Sequence, residues 1–322
     1  MTRLALRRGT VVAIERRDAD TAVTVEVEGE RRPAIAYEEL TGPVEVGDDV
    51  VVNVAARDLG LGSGGFDLLH ANLTRGLDGT GAAGAHVMKL NYTSLQHAVD
   101  PVEERAGELS TPVDGTVAVV SLHAQVPCVA WALAQARPGT RLGYVQTAGG
   151  ALPGALSRTV RMLRERELLA GHVTAAPAFG GEHDAITTAG ALHAGFDALG
   201  WDAAVAGPGP GILGSATALG HGGMAALDSA HAALALGCRT ILVPRMSSGD
   251  ARARHWGVSH HTRTVLDLLL KPVEVATPAD EDLAGYLDSG LPATTMGRSA
   301  EEDPTFFMAA LAGGRVLAEA IG

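Results

Sequence analysis

Several residue types are scarce in this chain of 322 residues, and each scarcity narrows what the protein can be. The two cysteines, Cys128 and Cys238, lie in Ala- and Leu-rich helical patterns, which favours buried free thiols over a disulfide or a metal site. Aromatic residues make up only 4% of the chain, so the core must be built mainly from Ala, Val and Leu. No apolar run approaches the roughly 20 residues that span a bilayer, and the N-terminus lacks the apolar core of a secretion signal. We therefore expect a cytoplasmic protein with no membrane partner.

The chain also lacks short motifs that identify large enzyme classes. The phosphate-binding loop GxxxxGK[ST], the nucleophile elbow GxSxG and the redox pair CxxC do not occur. The formal net charge is −12, which disfavours nucleic acid as a partner because such binding depends on clustered Lys and Arg. The exception is residues 245–263, which we call the basic loop and which carry four arginines and three histidines against one aspartate. Such a basic segment in an acidic protein predicts a small anionic ligand.

Five short apolar runs, broken by turns that contain Asp, Gly and Pro, occupy residues 9–73. They predict a small β-barrel, SH3-like or OB-like, over residues 1–88. Few aromatics and no basic stripe lie in this segment, so we expect it to have a structural or dimer-forming role, with the protein a homodimer. The pattern loosens over residues 89–114, which we interpret as a linker.

The period changes over residues 115–322, where short apolar runs alternate with helical stretches. This alternation predicts a Rossmann-like α/β domain, with a mostly parallel sheet flanked by helices. The apolar runs expected to form the strands are 117–120, 142–146, 172–176, 202–206, 240–243 and 273–276. A final helix is expected from Pro304 to about Ile321, with Asp303 as its cap.

Ligands of such sheets bind outside the carboxyl ends of the strands, so the loops at those ends are the candidate site. Six of the twelve histidines lie in these segments. Histidine titrates near neutrality and is the commonest metal ligand, so convergent histidines suit proton transfer or metal binding. The candidates for acid, base or metal ligand, with an aspartate orienting one histidine, are His123, Asp184, His221, Asp250, His260 and His261.

The most conspicuous loop is Gly207–Gly223, rich in glycine and proline, which we call the glycine loop. Glycine has no side chain to hold a ligand away, so such loops often surround phosphates or carboxylates. Ser259 is also expected to cap a helix whose amides could meet an anion. The candidate ligand-binding residues are Thr147, Gly149, Gly150, Gly180, Gly181, Gly209, Gly211, Gly214, Ser215, Arg245, Ser247, Arg252, His255 and Ser259.

No cofactor follows from these patterns. Gly209, Gly211 and Gly214 satisfy GxGxxG after a strand, but nine residues separate them from the next helix, and the next strand ends at Arg245 instead of an acidic residue. This disfavours a nicotinamide dinucleotide. A divalent metal stays open, since the histidines lack a tight motif such as HExxH, and the identity of any metal is unknown.

Several long phrases of the chain resemble one known family. GYVQTAGGALPGALSRTVRMLR, TAAPAFGGEHDAITTAGAL, GPGPGILGSATALGHGG, RMSSGDARARHWGVSHHT and TTMGRSAEEDPTFF are similar to the bacterial family catalogued as domain of unknown function 3866. The resemblance covers nearly the whole chain. It implies a bacterial cytoplasmic protein of this architecture, and it implies no activity, substrate or catalytic residue.

Together these observations predict an enzyme that acts on a small anionic metabolite, phosphorylated or nucleotide-like, at the strand-end loops. Hydrolysis or group transfer fits better than redox chemistry because the dinucleotide fingerprint is defective. Two alternatives stay open: a ligand-binding or regulatory protein without catalysis, and a structural homo-oligomer whose glycine loops pack against another subunit.

Overall fold

The computed structural model describes residues 3–16, 21–61 and 64–322. The chain forms two compact units, Met1–Val99 and Asp100–Gly322, which we call the barrel unit and the sheet unit. The boundary between them falls inside the predicted linker, residues 89–114.

The barrel unit contains the predicted five-stranded barrel, closed in the order β1-β2-β3-β5-β4. Val23 and Val25 of its second strand are buried inside the barrel, because alternate residues of a strand face the same side. The strands are β1 (Leu6–Arg16), β2 (Thr21–Val27), β3 (Glu30–Ala36), β4 (Asp49–Asn53) and β5 (Asp67–Asn72). The unit also contains the short helices α1 (Glu38–Thr41) and α2 (Ala55–Asp58) and an antiparallel pair of strands, β6 (Val87–Lys89) and β7 (His97–Val99).

The sheet unit is built on seven parallel strands in the order β11-β10-β9-β12-β8-β13-β16. All six predicted runs form strands of this sheet. The strands are β8 (Thr116–Val120), β9 (Leu142–Thr147), β10 (Gly171–Ala175), β11 (His183–Ala185), β12 (Ala203–Pro208), β13 (Arg239–Val243) and β16 (Glu274–Val275). Two antiparallel pairs lie outside it: β14 (Met246–Ser247) with β15 (Gly257–Val258), and β17 (Thr294–Thr295) with β18 (Arg298–Ser299).

Helices alternate with the strands of the sheet unit, as the sequence pattern predicted. They are α3 (Val126–Ala136), α4 (Arg158–Glu165), α5 (Thr188–Asp197), α6 (Ala225–Leu236), α7 (His260–Leu268), α8 (Leu283–Asp288) and α9 (Pro304–Ala320). They cover both faces of the sheet, because alternate residues of the interior strand β8 enter different cores. Val117 and Val119 pack with residues of α5 and α6, while Ala118 and Val120 pack with residues of α3 and α9. Within the described residues, no helix combines the length and apolar character that crossing a membrane requires.

Two local predictions differ from the structure. His183 and Asp184 were expected in a loop but belong to the edge strand β11, because Asp184 pairs in register with Thr174 of β10. Asp303 stands before Pro304 at the start of α9, as predicted, yet its side chain does not cap the helix. Its carboxylate instead accepts hydrogen bonds from the 247–249 turn, described below.

Trp201 limits what the sheet unit can accommodate on one face. Its side chain is 5% exposed and lies against glycines of the strand β9 and the helix α5. A Cβ atom added to Gly143 would lie 2.0 Å from the Trp201 ring, and one added to Gly195 would lie 2.3 Å from it. The absence of side chains at these glycines makes the space for the indole.

We expect Gly143→Ala to destabilise the sheet unit by about 1–3 kcal/mol or more, because the added methyl overlaps a fixed ring. The three tryptophans all lie in the sheet unit, so urea unfolding followed by tryptophan fluorescence reports on that unit. Gly107→Ala is the matched control, since its added Cβ would meet nothing closer than 3.5 Å. Equal unfolding midpoints for the two variants would contradict this account of the packing.

Candidate functional site

The order of the strands determines which loops meet. The chain runs from β8 through β9, β10 and β11 toward one edge, then returns with β12 to the place between β9 and β8. It continues with β13 on the other side of β8. The direction of winding therefore reverses near the middle of the sheet, where parallel α/β sheets bind their ligands. The loops after β12 and β13 leave the sheet at this place.

Four histidines from the segments after β12 and β13, two of them at the start of α7, have their rings in contact, and we call them the histidine cluster: His221, His255, His260 and His261. His221 ends the glycine loop, and its ring stacks on that of His261 with centroids 3.4 Å apart. The centroids of His260 and His261 are 4.3 Å apart, and those of His255 and His260 are 4.9 Å apart. The fold therefore joins residues that are up to 40 positions apart in the sequence.

Ser259 positions two members of the cluster. As predicted, it is the N-cap of α7, and its hydroxyl oxygen accepts a hydrogen bond of 3.2 Å from the backbone N–H of His261. The same Oγ lies 2.7 Å from Nδ1 of His255, a side chain that is fully buried. One serine thus connects the beginning of the helix to the ring orientation of His255.

The cluster is held in the uncharged form. Burial, followed by the charges of Arg245 and Arg252, lowers the pKa of His255 to about 4. Burial also lowers the pKa values of His221, His260 and His261, and neighbouring histidines or arginines add to the effect. At His221 the backbone of Ala218 partly opposes the shift. At neutral pH these imidazoles are therefore free to accept a proton or to donate a lone pair.

Several ring nitrogens in the cluster are buried without a hydrogen-bond partner among the described residues. They are Nε2 of His255, Nε2 of His260 and both ring nitrogens of His221. A buried polar atom left unpaired costs roughly 1–3 kcal/mol, so native structures seldom tolerate several at one place. This concentration distinguishes the cluster from histidines that only fill a core.

Asp250 is the centre of a second group, the aspartate–arginine network, whose members are Asp250, Asp303, Arg245, Arg252 and Arg298. The Asp250 carboxylate is 1% exposed and lies within 3.4 Å of all three guanidinium groups. A bidentate hydrogen bond from Arg252, at 2.9 and 3.0 Å, contributes most to holding the pKa of Asp250 well below its usual range. Asp250 was a candidate to orient a histidine directly. It reaches the cluster through Arg245, whose Nη1 lies 3.1 Å from Nδ1 of His261.

Asp303 completes the network from the start of α9. Its carboxylate accepts hydrogen bonds from Ser247 Oγ at 2.7 Å and from the Ser248 backbone N–H at 2.8 Å, and it pairs with Arg298 at 3.0 Å. Ser247 was a candidate to bind ligand, but its hydroxyl holds the turn that leads to Asp250. A helix more than 50 residues away in the chain therefore anchors the basic loop.

Two arginines of the basic loop remain available to bind an anion. Arg254 and Arg263 are exposed and form no ion pair within the described part of the chain. Their charges contribute to lowering the pKa of His260, so both act on the cluster electrostatically. Arg245 and Arg252, which the sequence indicated as ligand-binding, are already paired with Asp250. All four arginines therefore contribute to the positive field beside the histidines, but Arg254 and Arg263 are the two without a carboxylate partner in the described part of the chain.

Three glycines of the predicted site, Gly149, Gly150 and Gly209, bring two loops together. A Cβ on Gly149 would lie 2.4 Å from the carbonyl oxygen of Gly222, and one on Gly150 would lie 2.2 Å from that of Gly209. Across the same contact, the N–H of Leu213 donates to the Gly149 carbonyl at 3.0 Å. The loops after β9 and β12 are therefore packed backbone to backbone, and this packing places His221.

The outer part of the glycine loop is exposed. Gly211 has a φ of 69°, a left-handed conformation that favours glycine, and nothing lies within 4 Å of the position of its Cβ. Gly214 forms an isolated bridge with His221, and the Ser215 N–H donates to the Gly220 carbonyl at 2.6 Å. These residues make an exposed turn at the edge of the cluster.

The remaining candidates lie apart from the cluster. His123 interacts with Ser157, whose Oγ is 2.7 Å from Nε2, and with the hydroxyl of Tyr144, 3.2 Å from Nδ1. Asp184 accepts a hydrogen bond of 2.8 Å from Thr174 at the far edge of the sheet. Residues near these two positions are engaged locally: Thr147 bonds to Ala148, Gly180 lies beside Gly154, and Gly181 donates to Thr174.

The sequence patterns did not indicate Arg298, and they gave Asp303 a capping role only. Both lie in the phrase TTMGRSAEEDPTFF, which was among the segments that carry the family resemblance. The family resemblance of that phrase was the sequence signal that could have indicated Arg298 and Asp303, although both lie far from the basic loop in the chain. His172 was also missed inside a strand, where it stacks on Tyr144 with ring centroids 5.3 Å apart.

A cleft in the sheet unit lies away from the histidine cluster. Its volume is about 310 Å³, and its lining includes Arg141, Leu142 and Arg164. Leu142 is the first residue of β9, so this cleft lies at the amino end of that strand. The histidine cluster follows the carboxyl ends of the strands, and it is there that polar groups converge.

We expect Asp250→Asn to destabilise the sheet unit by about 3–5 kcal/mol at pH 7, because it leaves the buried Arg245 without a carboxylate partner. Its lowered pKa means that the carboxylate stabilises the fold above its ordinary pKa of about 4, and this contribution is lost as the pH falls further. Urea unfolding midpoints of wild type and variant should therefore converge in acid. Asp267→Asn, at an exposed position on α7, is the control, and an equal effect there would contradict the role given to Asp250.

We compared the chain with protein families, curated proteins and solved structures. A family model described as "Protein of unknown function (DUF3866)" matches residues 33–289, and no curated protein matches the chain. The crystal structure of YjeQ from Thermotoga maritima is similar at 17% sequence identity and a TM-score of 0.16, over 52% of this chain and 51% of that one. The chain thus spans about half of that protein's length, and a likeness so weak supports no structural argument. Because the family model covers most of the sequence, the protein belongs to the DUF3866 family of proteins of unknown function.

Proposed function

We propose that this protein is a cytoplasmic enzyme that hydrolyses, or transfers a group from, a small anionic metabolite at the histidine cluster. The observation that carries the proposal is the concentration, after β12 and β13, of buried, uncharged imidazole nitrogens that have no hydrogen-bond partner among the described residues. Purely structural histidines would be expected to find partners, since each unpaired nitrogen costs stability. Destabilising groups collected at one place are typical of functional sites.

Arg254 and Arg263 support an anionic substrate. They are exposed, they are unpaired within the described residues, and their charges reach His260. Guanidinium groups bind phosphate and carboxylate oxygens with charge-assisted hydrogen bonds. Trp256, 57% exposed in the same loop, offers a flat surface on which a ring of a nucleotide-like substrate could stack.

The chemistry that fits is proton transfer to and from a neutral imidazole. An attacking water or hydroxyl would give its proton to His221, whose two ring nitrogens have no partner among the described residues. The oxygen of that water or hydroxyl would form the new bond to phosphorus or to a carbonyl carbon. The leaving group would depart with the electron pair of the broken bond and take the proton back from the imidazolium. Electrons and protons balance without an oxidant, consistent with hydrolysis or group transfer.

We expect His221→Phe to abolish turnover while leaving the melting temperature unchanged or raised, because phenyl keeps a flat ring to stack on His261 and removes two unpaired buried nitrogens. The assay incubates the enzyme with a mixture of phosphorylated and carboxylated metabolites and follows their conversion by mass spectrometry. His193→Gln, a half-buried histidine of α5, is the matched control. A large loss of stability in His221→Phe would instead make His221 a structural residue.

The double variant Arg254→Gln, Arg263→Gln should raise KM for the substrate so identified by roughly tenfold or more with little change in kcat, since two charged contacts are removed. The dependence of KM on salt should become shallower. Arg239→Gln is the control, because Arg239 begins β13 at the opposite end of that strand. A retained substrate that binds with this arginine dependence but is never converted would indicate a binding protein instead of an enzyme.

A further inference from the structure

We propose that the histidine cluster binds one divalent transition-metal ion of the zinc class, with His255, His260 and His261 as its protein ligands. The inference rests on the proposed function only in that the same cluster would serve both. Metal binding can be measured without a substrate, so the two proposals can fail separately.

The geometry of the three side chains is the first reason. One nitrogen from each of His255, His260 and His261 lies within 4.8 Å of the other two. Their ring centroids are 4.3, 4.9 and 5.0 Å apart. Nitrogens that share a tetrahedral zinc ion at about 2.0–2.1 Å are roughly 3.4 Å apart, so movements of about an ångström close the site.

The unpaired nitrogens are the second reason. Nε2 of His255 and Nε2 of His260 are both buried, and neither has a hydrogen-bond partner in the described part of the chain. A metal ion gives both nitrogens one partner and thereby removes two desolvation costs at once.

Ser259 supplies the contact that metal-binding histidines usually make through their other nitrogen. Its Oγ lies 2.7 Å from Nδ1 of His255. When that nitrogen carries the proton and donates it to Ser259, the lone pair of Nε2 faces the cluster. Such partners fix the tautomer and the ring orientation of a ligand, and their loss typically lowers metal affinity by about 10–100-fold.

Arg245 must release His261 when the metal binds. Its Nη1 donates to Nδ1 of His261 at 3.1 Å, because a guanidinium has no acceptor. If Nδ1 binds the metal, the donor is displaced. If Nε2 binds the metal, Nδ1 must carry the proton and can no longer accept. In either case Arg245 can turn to Asp250, whose carboxylate is 3.4 Å away and 1% exposed.

The ligand set selects the class of metal. Three imidazoles suit zinc and its neighbours, whereas Mg²⁺ and Ca²⁺ require oxygen ligands, which this triad lacks. Three protein ligands leave a coordination position for water or an anionic substrate, as in catalytic zinc sites. His221 then stands beside the metal, stacked on its ligand His261.

The test is a titration of the full chain, stripped of metal with a chelator, with Co²⁺ and then Zn²⁺. We expect one Co²⁺ per chain with the visible absorption of a tetrahedral site, displaced by one Zn²⁺, and a rise in melting temperature with Zn²⁺. His260→Gln, at a half-buried position, should bind roughly 100-fold more weakly, while His193→Gln should match wild type. Circular dichroism establishes that each variant is folded, and His255→Gln provides a second variant.

Two results would overturn the inference: no stoichiometric Co²⁺ binding by wild type, or equal affinity in wild type, His260→Gln and His255→Gln. Turnover that depends on His221 in protein that binds no Co²⁺ would overturn the metal site while sparing the proposed function. A bound metal that His260→Gln loses, with no substrate converted, would keep the metal site and count against the enzyme.

Discussion

The buried carboxylate of Asp250 is the interaction on which the candidate site depends. It holds three guanidinium groups, and one of these, Arg245, extends from the network to His261. Charges with so little access to water must be paired, because an unpaired charge in the interior is far more costly than an unpaired neutral group. The basic loop after β13 is therefore stabilised by the ion pairs of Asp250 with its own arginines and by hydrogen bonds to Asp303, the residue before α9. The arginines of this loop therefore have two roles. Arg245 and Arg252 are paired with Asp250, whereas Arg254 and Arg263 remain to contact an anion.

The second constraint is steric, and it acts on the loop after β12. Gly149 and Gly150 lie so close to the backbone of the glycine loop that a side chain at either position would overlap it. The contact delivers His221 to the three histidines of the other loop, where the rings of His221 and His261 stack at 3.4 Å. Glycines that the sequence indicated as ligand-binding are thus used to assemble the site. The group that their backbone approaches is another loop of the same chain.

The alternation of apolar runs with helical stretches predicted the sheet well. All six expected strands form, and the expected final helix from Pro304 forms as α9, Pro304–Ala320. Such patterns succeed because periodicity is a local property of the chain. The short strand β11 was missed because three residues are too few to show a period, and it exists through pairing with β10. The side chain of Asp303 was misjudged for a similar reason, since a distant turn competes for it more strongly than its own helix does.

The sequence by itself determined the two-part architecture, the positions of the strands and the enrichment of histidine and arginine in the loops that follow them. These properties depend on composition and on the spacing of neighbouring residues. Only the tertiary structure decided that His221 joins His255, His260 and His261, whereas His123 pairs with Ser157 and Asp184 with Thr174. The reason is that strand order, with β12 returning between β9 and β8, is not encoded in any local pattern. Which loops become neighbours, and which charges find partners there, follows from that order alone.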